Sequence, residues 1–404
     1  MSEATLTMLV ATTQIYESFD YFHVDQFLSK KQRELRLRVR EYVEQVVKPN
    51  INPYWDRAEF PFEIAMGLRD LGIVGGIIRG HGSAGLDALE AGLVMYELAR
   101  GDGSIATFFG VQSGLAMTSI GLLGNDDQRA RWLPGLARLE KIGAFGLTEP
   151  LVGSNASAIT TTATRDGNGY RLHGAKRWIG NASLSDVLII WARDEDGKLG
   201  GFVVEGAKDG VEGLSITDLQ GKMGKRALLN ADVVLDGVYV PAENRLAKVS
   251  SVKDTYKVLM FGRNGIGWEC AGTAVGAFEV ALKYAKERQQ FGKPIASFQL
   301  VQQKLVEMAT EITTMQLMCF QATSLMATNQ LDEGKVSMLK YHNAKKARYV
   351  TQLAREVLGG NGILIENQIA RLMTDAEISY IYEGTNEINL LLIGRDLTGI
   401  NAIQ

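Results

Sequence analysis

Residues 381–388 read Ile-Tyr-Glu-Gly-Thr-Asn-Glu-Ile, and Glu383 among them is the residue best suited to chemistry. A carboxylate set between an aromatic residue and a glycine, in so apolar a stretch, loses solvation and is lifted toward neutral pKa. Such a group suits the removal of a reluctant carbon-bound proton. The same residue could cap a helix or stand as a surface charge, and these eight residues alone do not decide. The pattern places the segment on the final helix.

Four further segments could hold a ligand. Phe145-Gly146-Leu147-Thr148-Glu149-Pro150-Leu151-Val152-Gly153-Ser154 reads as a strand end broken at Pro150. The break frees amides and the Thr148 hydroxyl, and Gly153-Ser154 permits close backbone approach. Lys176-Arg177-Trp178-Ile179-Gly180-Asn181 ends another strand and presents a large flat indole, which could equally be core. Arg288-Gln289-Gln290-Phe291-Gly292, with Phe298-Gln299 beyond, sets a cation beside a Phe-Gly break, which suits a phosphate contact or a solvated helix end. Glu356-Val357-Leu358-Gly359-Gly360-Asn361-Gly362 is, as a bare pattern, a helix C-cap.

Several elements must position these residues. From 24 to 139 the pattern is helical: Ser29-Lys30-Lys31-Gln32 is a capping-box start, followed by Leu35, Val39, Tyr42 and Val46 at helical spacing. From 143 to 240 the period changes to two, with strands at 170–173, 187–191, 202–204 and 233–235 and turns at Asp166-Gly167-Asn168-Gly169 and Asp196-Gly197. After 252 the chain is helical again. Leu305, Met308, Ile312, Met315, Cys319, Ala322 and Met326 form a bundle-core stripe, and a helix over 338–358 stops at Gly359-Gly360. The fold class is α+β: an N-terminal extension (1–27), an N-terminal α-helical domain (28–142), a central β domain (143–250) and a C-terminal helix bundle (251–404). A ligand would lie in the cleft between layers.

Composition removes several function classes. Net charge is −3, so no global basic field draws nucleic acid or an anionic membrane. The four histidines are scattered and match no zinc pattern, so no metal is expected. Cys270 and Cys319 sit in apolar helical stretches and read as buried reduced thiols. No apolar run reaches the length of a membrane span. The first twenty-nine residues lack Lys and Arg, and Asn401-Ala402-Ile403-Gln404 matches neither the peroxisomal nor the ER-retention signal, so a cytoplasmic location is expected.

Taken together and in this order, the segments resemble the acyl-CoA dehydrogenase family of flavoproteins over about 28–399. Tyr382-Glu383-Gly384-Thr385 and Gly394-Arg395-Asp396-Leu397-Thr398-Gly399 look most like glutaryl-CoA dehydrogenases and the short-chain acyl-CoA oxidases of plant peroxisomes. The resemblance implies that family's fold, with a C-terminal four-helix bundle and FAD between bundle and β domain. Phe145, Leu147, Thr148, Gly153 and Ser154 match the first flavin segment, Ser154 also reaching the pantetheine of the thioester. Trp178, Ile179 and Gly180 match the segment flanking the isoalloxazine. Arg288, Phe291, Phe298 and Gln299 match the segment that holds pyrophosphate and adenine. Glu356, Val357, Leu358, Gly359 and Gly360 match a loop donated by a neighbouring subunit, which implies a homotetramer. Thr385, Asn386 and Glu387 match the last flavin contact, and Arg263, Tyr382, Gly384 and Arg395 match substrate-side positions. Glu383 matches the base that takes the proton alpha to the thioester carbonyl while the beta carbon passes hydride to flavin N5. An electron-transferring flavoprotein is the implied acceptor. Some family members place the base one residue before the matched arginine, where this chain has Gly262.

The chain departs from the pattern in informative places. Gly180 stands where many dehydrogenases have threonine, which removes a hydroxyl near N5, opens space and leaves an acyl-CoA oxidase using dioxygen as an alternative. Ala106 stands where glutaryl-CoA dehydrogenases hold the distal carboxylate with arginine. An apolar lining does not compensate a buried carboxylate, so a short or medium saturated acyl-CoA is favoured over glutaryl-CoA. Gly153-Ser154-Asn155 replaces the usual Gly-Ser-Asp, and Ile78-Arg79-Gly80-His81-Gly82 lacks the usual Pro-Glu pattern. A family member that binds flavin or acyl-CoA without turnover is the third reading.

Overall fold

Ser29 and Gln32 cap each other as the sequence predicts: the Gln32 N–H donates to Ser29 Oγ at 3.3 Å and the Ser29 N–H to Gln32 Oε1 at 2.9 Å. This box opens helix α1 (Lys30–Tyr42), which continues through a π turn (Val43–Val47) into Lys48–Arg57. A second box, Asp87 with Glu90, opens α2 (Ala88–Gly101). Asp102 caps α3 (Gly103–Phe109), which runs on through a π segment (Gly110–Met117) and Thr118–Leu123, and α4 (Asp126–Ala137) follows. The computed structural model describes residues 19–403, so most of the expected N-terminal extension (1–18) and Gln404 lie outside the described residues.

The middle of the chain forms a seven-stranded sheet: β1 (Gly143–Gly146), β2 (Thr162–Asp166), β3 (Gly169–Gly180), β4 (Val187–Arg193), β5 (Leu199–Glu205), β6 (Leu214–Asp218) and β7 (Asn230–Pro241). Its order is β1-β4-β2-β3-β7-β6, with β5 also on β4. The period of two divides β4 between two cores. Val187, Ile189 and Trp191 face the large core shared with the helices, whereas Leu188, Ile190 and Ala192 face a smaller core within the sheet domain. That division ties the sheet to the helices on one face.

The C-terminal part comprises α5 (Val252–Glu287), a short hairpin of β8 (Gln289–Gln290) and β9 (Lys293–Pro294), then α6 (Gln299–Ala327), α7 (Glu333–Leu358), α8 (Ile369–Ile381) and α9 (Asn386–Thr398). Met308, Ile312, Met315, Cys319 and Ala322 of the predicted stripe are buried, and α7 stops at Leu358 before the glycine pair.

Two expectations are corrected. Residues 381–388 do not share one helix: α8 ends at Ile381 and α9 begins at Asn386. Glu383 and Gly384 turn through φ of 55° and 85°, a left-handed break that no α-helix continues. Gly103–Leu123 is long and apolar enough, by length and composition, to cross a membrane, but it is 67% buried inside the fold and serves as a core helix.

Glycines let α5 lie directly on α2. An added Cβ at Gly272 would fall 2.1 Å from the Tyr96 carbonyl oxygen, and one at Gly276 would fall 2.3 Å from that of Arg100. Backbone atoms cannot yield as a flexible side chain does, so the helices would have to part. Gly272→Val is therefore expected to cost about 3 kcal/mol of stability by overpacking. Chemical denaturation followed by circular dichroism reads this as a lower unfolding midpoint, and an unchanged midpoint would show that the seam has slack.

Candidate active site

The break between α8 and α9 sets Glu383 on a left-handed residue, a conformation that costs a non-glycine residue about 1 kcal/mol or more. Two cations hold the turn by its carbonyls. Arg263 Nε donates to the Glu383 carbonyl at 3.3 Å, and Lys340 Nζ donates to the Gly384 carbonyl at 2.9 Å. Lys340 also donates to the Tyr380 carbonyl and to Asn386 Oδ1, both at 2.9 Å, so it staples the end of α8 to the start of α9. Glu333 in turn accepts from Arg263 at 3.4 Å and from Arg395 at 2.5 Å.

The Glu383 carboxylate lies against Gly262, where an added Cβ would stand 2.7 Å from Oε1 and 2.9 Å from Oε2. Oε2 is buried with no hydrogen-bond partner among the described residues. Burial pushes the carboxyl up to about 7, with the Glu269 charge adding to the rise and the Arg263 and Lys340 charges opposing it. Burial also lowers the Lys340 ammonium to about 8. The Glu383 N–H donates to no backbone carbonyl among the described residues. One residue therefore offers both a proton acceptor and an uncommitted donor.

The first two ligand segments lie side by side. The Arg177 N–H donates to the Thr148 carbonyl at 2.9 Å, and Lys176 Nζ donates to the Leu147 carbonyl at 3.2 Å. Between Lys176 and Ile179 the register of β3 on β7 shifts, and Trp178 in this bulge takes φ 66°. The bulge turns its indole outward, 55% exposed, with the Arg177 guanidinium 5.3 Å from the ring centre. Phe145, Leu147 and Ile179 are buried beneath. Gly153 and Ser154 are exposed on the following loop, and a Cβ at Gly153 would meet nothing within 4 Å.

Glu149 closes that loop. It accepts from the backbone and hydroxyl of Thr160 (2.7 and 2.8 Å), from those of Thr161 (2.9 and 2.6 Å) and from Lys176 Nζ (2.9 Å). Burial would raise its carboxyl, but these donors bring it down to about 2. Sequence reading gave Glu149 no role, because its partners arrive eleven and more residues later.

One face of α3 and its π extension joins these segments to Glu383. Thr107 Oγ1 accepts from Lys225 Nζ at 2.8 Å, and the same ammonium donates to the Tyr382 hydroxyl. Four residues on, Val111 Cγ2 stands 3.1 Å from where a Cβ at Gly180 would be. The space expected beside Gly180 is therefore already occupied by valine.

Arg288, Phe291 and Gln299 are exposed at one end of the bundle and Phe298 is half-buried there. Phe291 takes φ 51° in the hairpin, is 92% exposed and meets Phe298 edge-on at 6.0 Å. Lys304 pairs with Glu356, and Asn361 Nδ2 donates to the Tyr284 hydroxyl at 2.9 Å. These links bring the glycine loop to the same end as the hairpin, with Val357 and Leu358 buried and Gly359 and Gly360 exposed. Arg288 is exposed and has no ion-pair partner among the described residues.

Four of the matched substrate or cofactor positions are buried or bonded within the fold. Ala106 is wholly buried in the main core and lines no open surface; Thr107 beside it carries the contact. The Tyr382 hydroxyl donates to Glu269 at 2.6 and 2.7 Å rather than standing free for a ligand. Asn386 is fully buried, accepting from Lys340 and donating to the Tyr341 carbonyl at 2.9 Å, so its amide is committed to the fold. Thr385 Oγ1 caps α9 by accepting from the Ile388 N–H at 3.3 Å, whereas Glu387 is exposed.

Three family models match in succession: acyl-CoA dehydrogenase, N-terminal domain over residues 29–140, middle domain over 144–238 and C-terminal domain over 253–398. Over 377 residues the chain is 32% identical to a 3-(aryl)acrylate reductase of Clostridium sporogenes, covering 92% of this chain and 99% of that one. It is likewise 32% identical to a short-chain specific acyl-CoA dehydrogenase of Clostridium acetobutylicum, covering 92% and 98%. A glutaryl-CoA dehydrogenase of Mycobacterium smegmatis, solved in complex with FADH2, superposes with TM-score 0.92 at 34% identity, covering 95% of this chain and 98% of that one. The chain belongs to the acyl-CoA dehydrogenase family, whose named relatives are oxidoreductases.

Gly262→Ala tests the seat of the carboxylate. Its Cβ would displace Glu383 by a few tenths of an ångström or more, a misplacement expected to slow an acyl-CoA-dependent reaction at least ~tenfold. A crystal structure of the variant with the carboxylate unmoved, or an unaltered rate, would remove Gly262 from the site.

Proposed function

We infer that this family member is an FAD-dependent acyl-CoA dehydrogenase that converts a short- or medium-chain acyl-CoA to the trans-2-enoyl-CoA, with Glu383 as the base. The observation that carries this reading is the Glu383 carboxylate: on a half-buried residue, with Oε2 buried and unpartnered, lifted to about 7 and held on a braced left-handed turn. A base poised near neutral pH combines ionisation with a strong pull on a carbon acid.

The residues of this chain then divide the work. Glu383 takes the proton alpha to the carbonyl, and its own N–H is free to donate to the thioester oxygen as negative charge gathers there. Because both groups belong to one residue, the turn that fixes one fixes the other. Arg263 and Lys340 brace that turn through its carbonyls. Burial keeps water from the carboxylate and keeps the base strong.

The donor set suits FAD: a flat exposed indole at Trp178, an open Gly153-Ser154 loop, and Arg288 for a pyrophosphate. When bound, FAD supplies N5 as the hydride acceptor. Exposed Phe291 (92%) and Ile363 (69%) at the end that carries Arg288 need a cover, which supports a homotetramer whose neighbouring subunit completes that end. An electron-transferring flavoprotein is the proposed electron acceptor, and the cytoplasm the proposed location. The oxidase alternative drew on the lost hydroxyl and on open space beside Gly180, and Val111 takes up that space. Glutaryl-CoA is disfavoured because Lys225, the cation near Thr107, is already neutralised by Glu269 at 2.5 Å.

Glu383→Gln is expected to keep FAD and acyl-CoA binding while flavin bleaching by butyryl-CoA falls by about three or more orders of magnitude. Bleaching at the wild-type rate would assign the base elsewhere. Because the folded carboxyl is raised to about 7, the wild-type bleaching rate should climb with pH through that value and level off above it. The same shift has the opposite sign for stability: the neutral form's contribution is complete below the unfolded value of about 4.3 and is lost as pH rises through the folded value. Glu383→Gln should accordingly raise the thermal midpoint at pH 8 more than at pH 5, as differential scanning fluorimetry would record; equal gains would contradict a charged buried carboxylate. Across a substrate panel, butyryl- to octanoyl-CoA should show higher kcat/KM than glutaryl-CoA, and efficient release of carbon dioxide from glutaryl-CoA would overturn the apolar-tail reading.

A further inference from the structure

A buried ion pair with no part in the chemistry so far lies one residue upstream of Glu383. Lys225 and Glu269 are both almost fully buried, and Lys225 Nζ donates to Glu269 Oε1 at 2.5 Å and to Thr107 Oγ1 at 2.8 Å. The Tyr382 hydroxyl accepts from the same ammonium and donates to Glu269 at 2.6 and 2.7 Å. Ser379 Oγ adds a bond to Glu269 at 2.7 Å, and the Lys225 N–H is held by Asp375 Oδ1 at 2.5 Å. Every ammonium proton of Lys225 thus has an acceptor. The groups come from α3, the connection between β6 and β7, α5 and α8, so helices and sheet domain converge on one phenol oxygen.

Such a pair is weak evidence for stability, because desolvation offsets most of the attraction and apolar residues would fill the space as well. What apolar residues could not do is grip a hydroxyl. Tyr382 is the last residue before the left-handed turn, and the turn residues Glu383 and Gly384 are themselves held by their carbonyls, from Arg263, Lys340 and Asn389. The pair is formally neutral, and Glu269 is the member whose charge acts on the carboxylate, raising it.

We propose that Lys225 and Glu269 are positioning residues for the base: they hold Tyr382 by its hydroxyl, thereby fix the turn on which Glu383 stands, and balance the charge beside it. The proposal rests on reading Glu383 as the base. The charges that act on the carboxylate are Arg263 and Glu269 from α5 and Lys340 from α7, and Lys225 from the sheet connection stands one step behind as the partner of Glu269. Glu333 and Arg395 stand behind Arg263, Asp375 behind Lys225, and the Cys270 thiol is pushed up to about 12 by burial and remains neutral. Removing the Glu269 charge leaves Lys225 uncompensated and favours ionised Glu383. Removing the Lys225 charge leaves an acid that opposes it. The two single variants must shift the base in opposite directions, and the double variant must restore it.

The test is rapid-mixing reduction of the holoenzyme by butyryl-CoA over roughly pH 5.5 to 9, for wild type, Glu269→Gln, Lys225→Met, the double variant, Tyr382→Phe and Glu383→Gln. The midpoint of the pH profile should fall by about one unit in Glu269→Gln, rise by about one unit in Lys225→Met and return to within about 0.3 units in the double variant. Tyr382→Phe loses a single oxygen and should fold even where the charge variants do not. It should slow the limiting rate at least ~tenfold while the butyryl-CoA Kd changes less than about threefold. Midpoints that stay put or move together, or a Tyr382→Phe enzyme at the wild-type rate, would overturn the proposal. Fast reduction of Glu383→Gln would instead overturn the base assignment, and with it the reason for the pair.

Discussion

The site depends on where α8 stops. A helix that continued through Tyr382 would carry Glu383 around its axis and satisfy its N–H internally, leaving neither a free donor nor a fixed carboxylate. The left-handed turn prevents both. Its strain is small beside the bonds that oppose relaxation: Arg263 and Lys340 on the carbonyls of residues 383 and 384, and Asn389 Nδ2 on the latter at 2.8 Å. Strain at one residue persists because surrounding elements leave it no alternative, and here those elements are α5, α7 and α9.

Those helices can brace the turn only because the scaffold brings them close. Glycines at 272 and 276 seat α5 on the backbone of α2, and Gly262, about three to four turns earlier on the same helix, makes room for the carboxylate. One helix thus uses missing side chains for two ends, packing and chemistry. A buried charge cluster locks the same seam: Glu97 accepts from Arg36, Arg40 and Arg100 at 2.8, 3.2 and 2.7 Å, and Arg40 and Arg100 both reach Glu279 on α5. Burial would raise the Glu97 carboxyl, yet three guanidinium groups bring it to about 2, so the cluster stays charged throughout the range in which the Glu383 carboxyl titrates. The scaffold cluster and the Glu383 carboxyl therefore respond to pH in separate windows.

What the sequence made legible was local. Ser29 with Gln32, the alternation along β4, the glycine stop after Leu358 and the Tyr-Glu-Gly-Thr segment each lie within a few residues and carry their own physical signature. What it hid was assembled across distance. Lys340 is one lysine among many until its three acceptors at Tyr380, Gly384 and Asn386 converge about forty residues later. Lys225 and Glu269 meet across forty-four residues, and neither position carries a pattern that marks burial. The helix break was hidden for another reason. Residues 381–388 keep an apolar spacing that a helix would also show, and only the paired positive φ at Glu383 and Gly384 decides against it.

Gly180 shows how a departure read at one position changes meaning in three dimensions. In the sequence it is a deletion of bulk and of a hydroxyl. In the structure the bulk returns from a different element, since Val111 on the π extension of α3 approaches the vacant Cβ position to 3.1 Å. Compared with threonine at 180, this corner lacks a hydroxyl and is faced by an apolar side chain from a helix. Inserting threonine at 180 alone would collide with Val111, which must move by a few tenths of an ångström or rotate. Only paired with a smaller residue at 111 could a hydroxyl enter without strain. The property set by this corner of the site is therefore its polarity rather than its openness, and it is a joint property of two residues that lie sixty-nine positions apart in the chain.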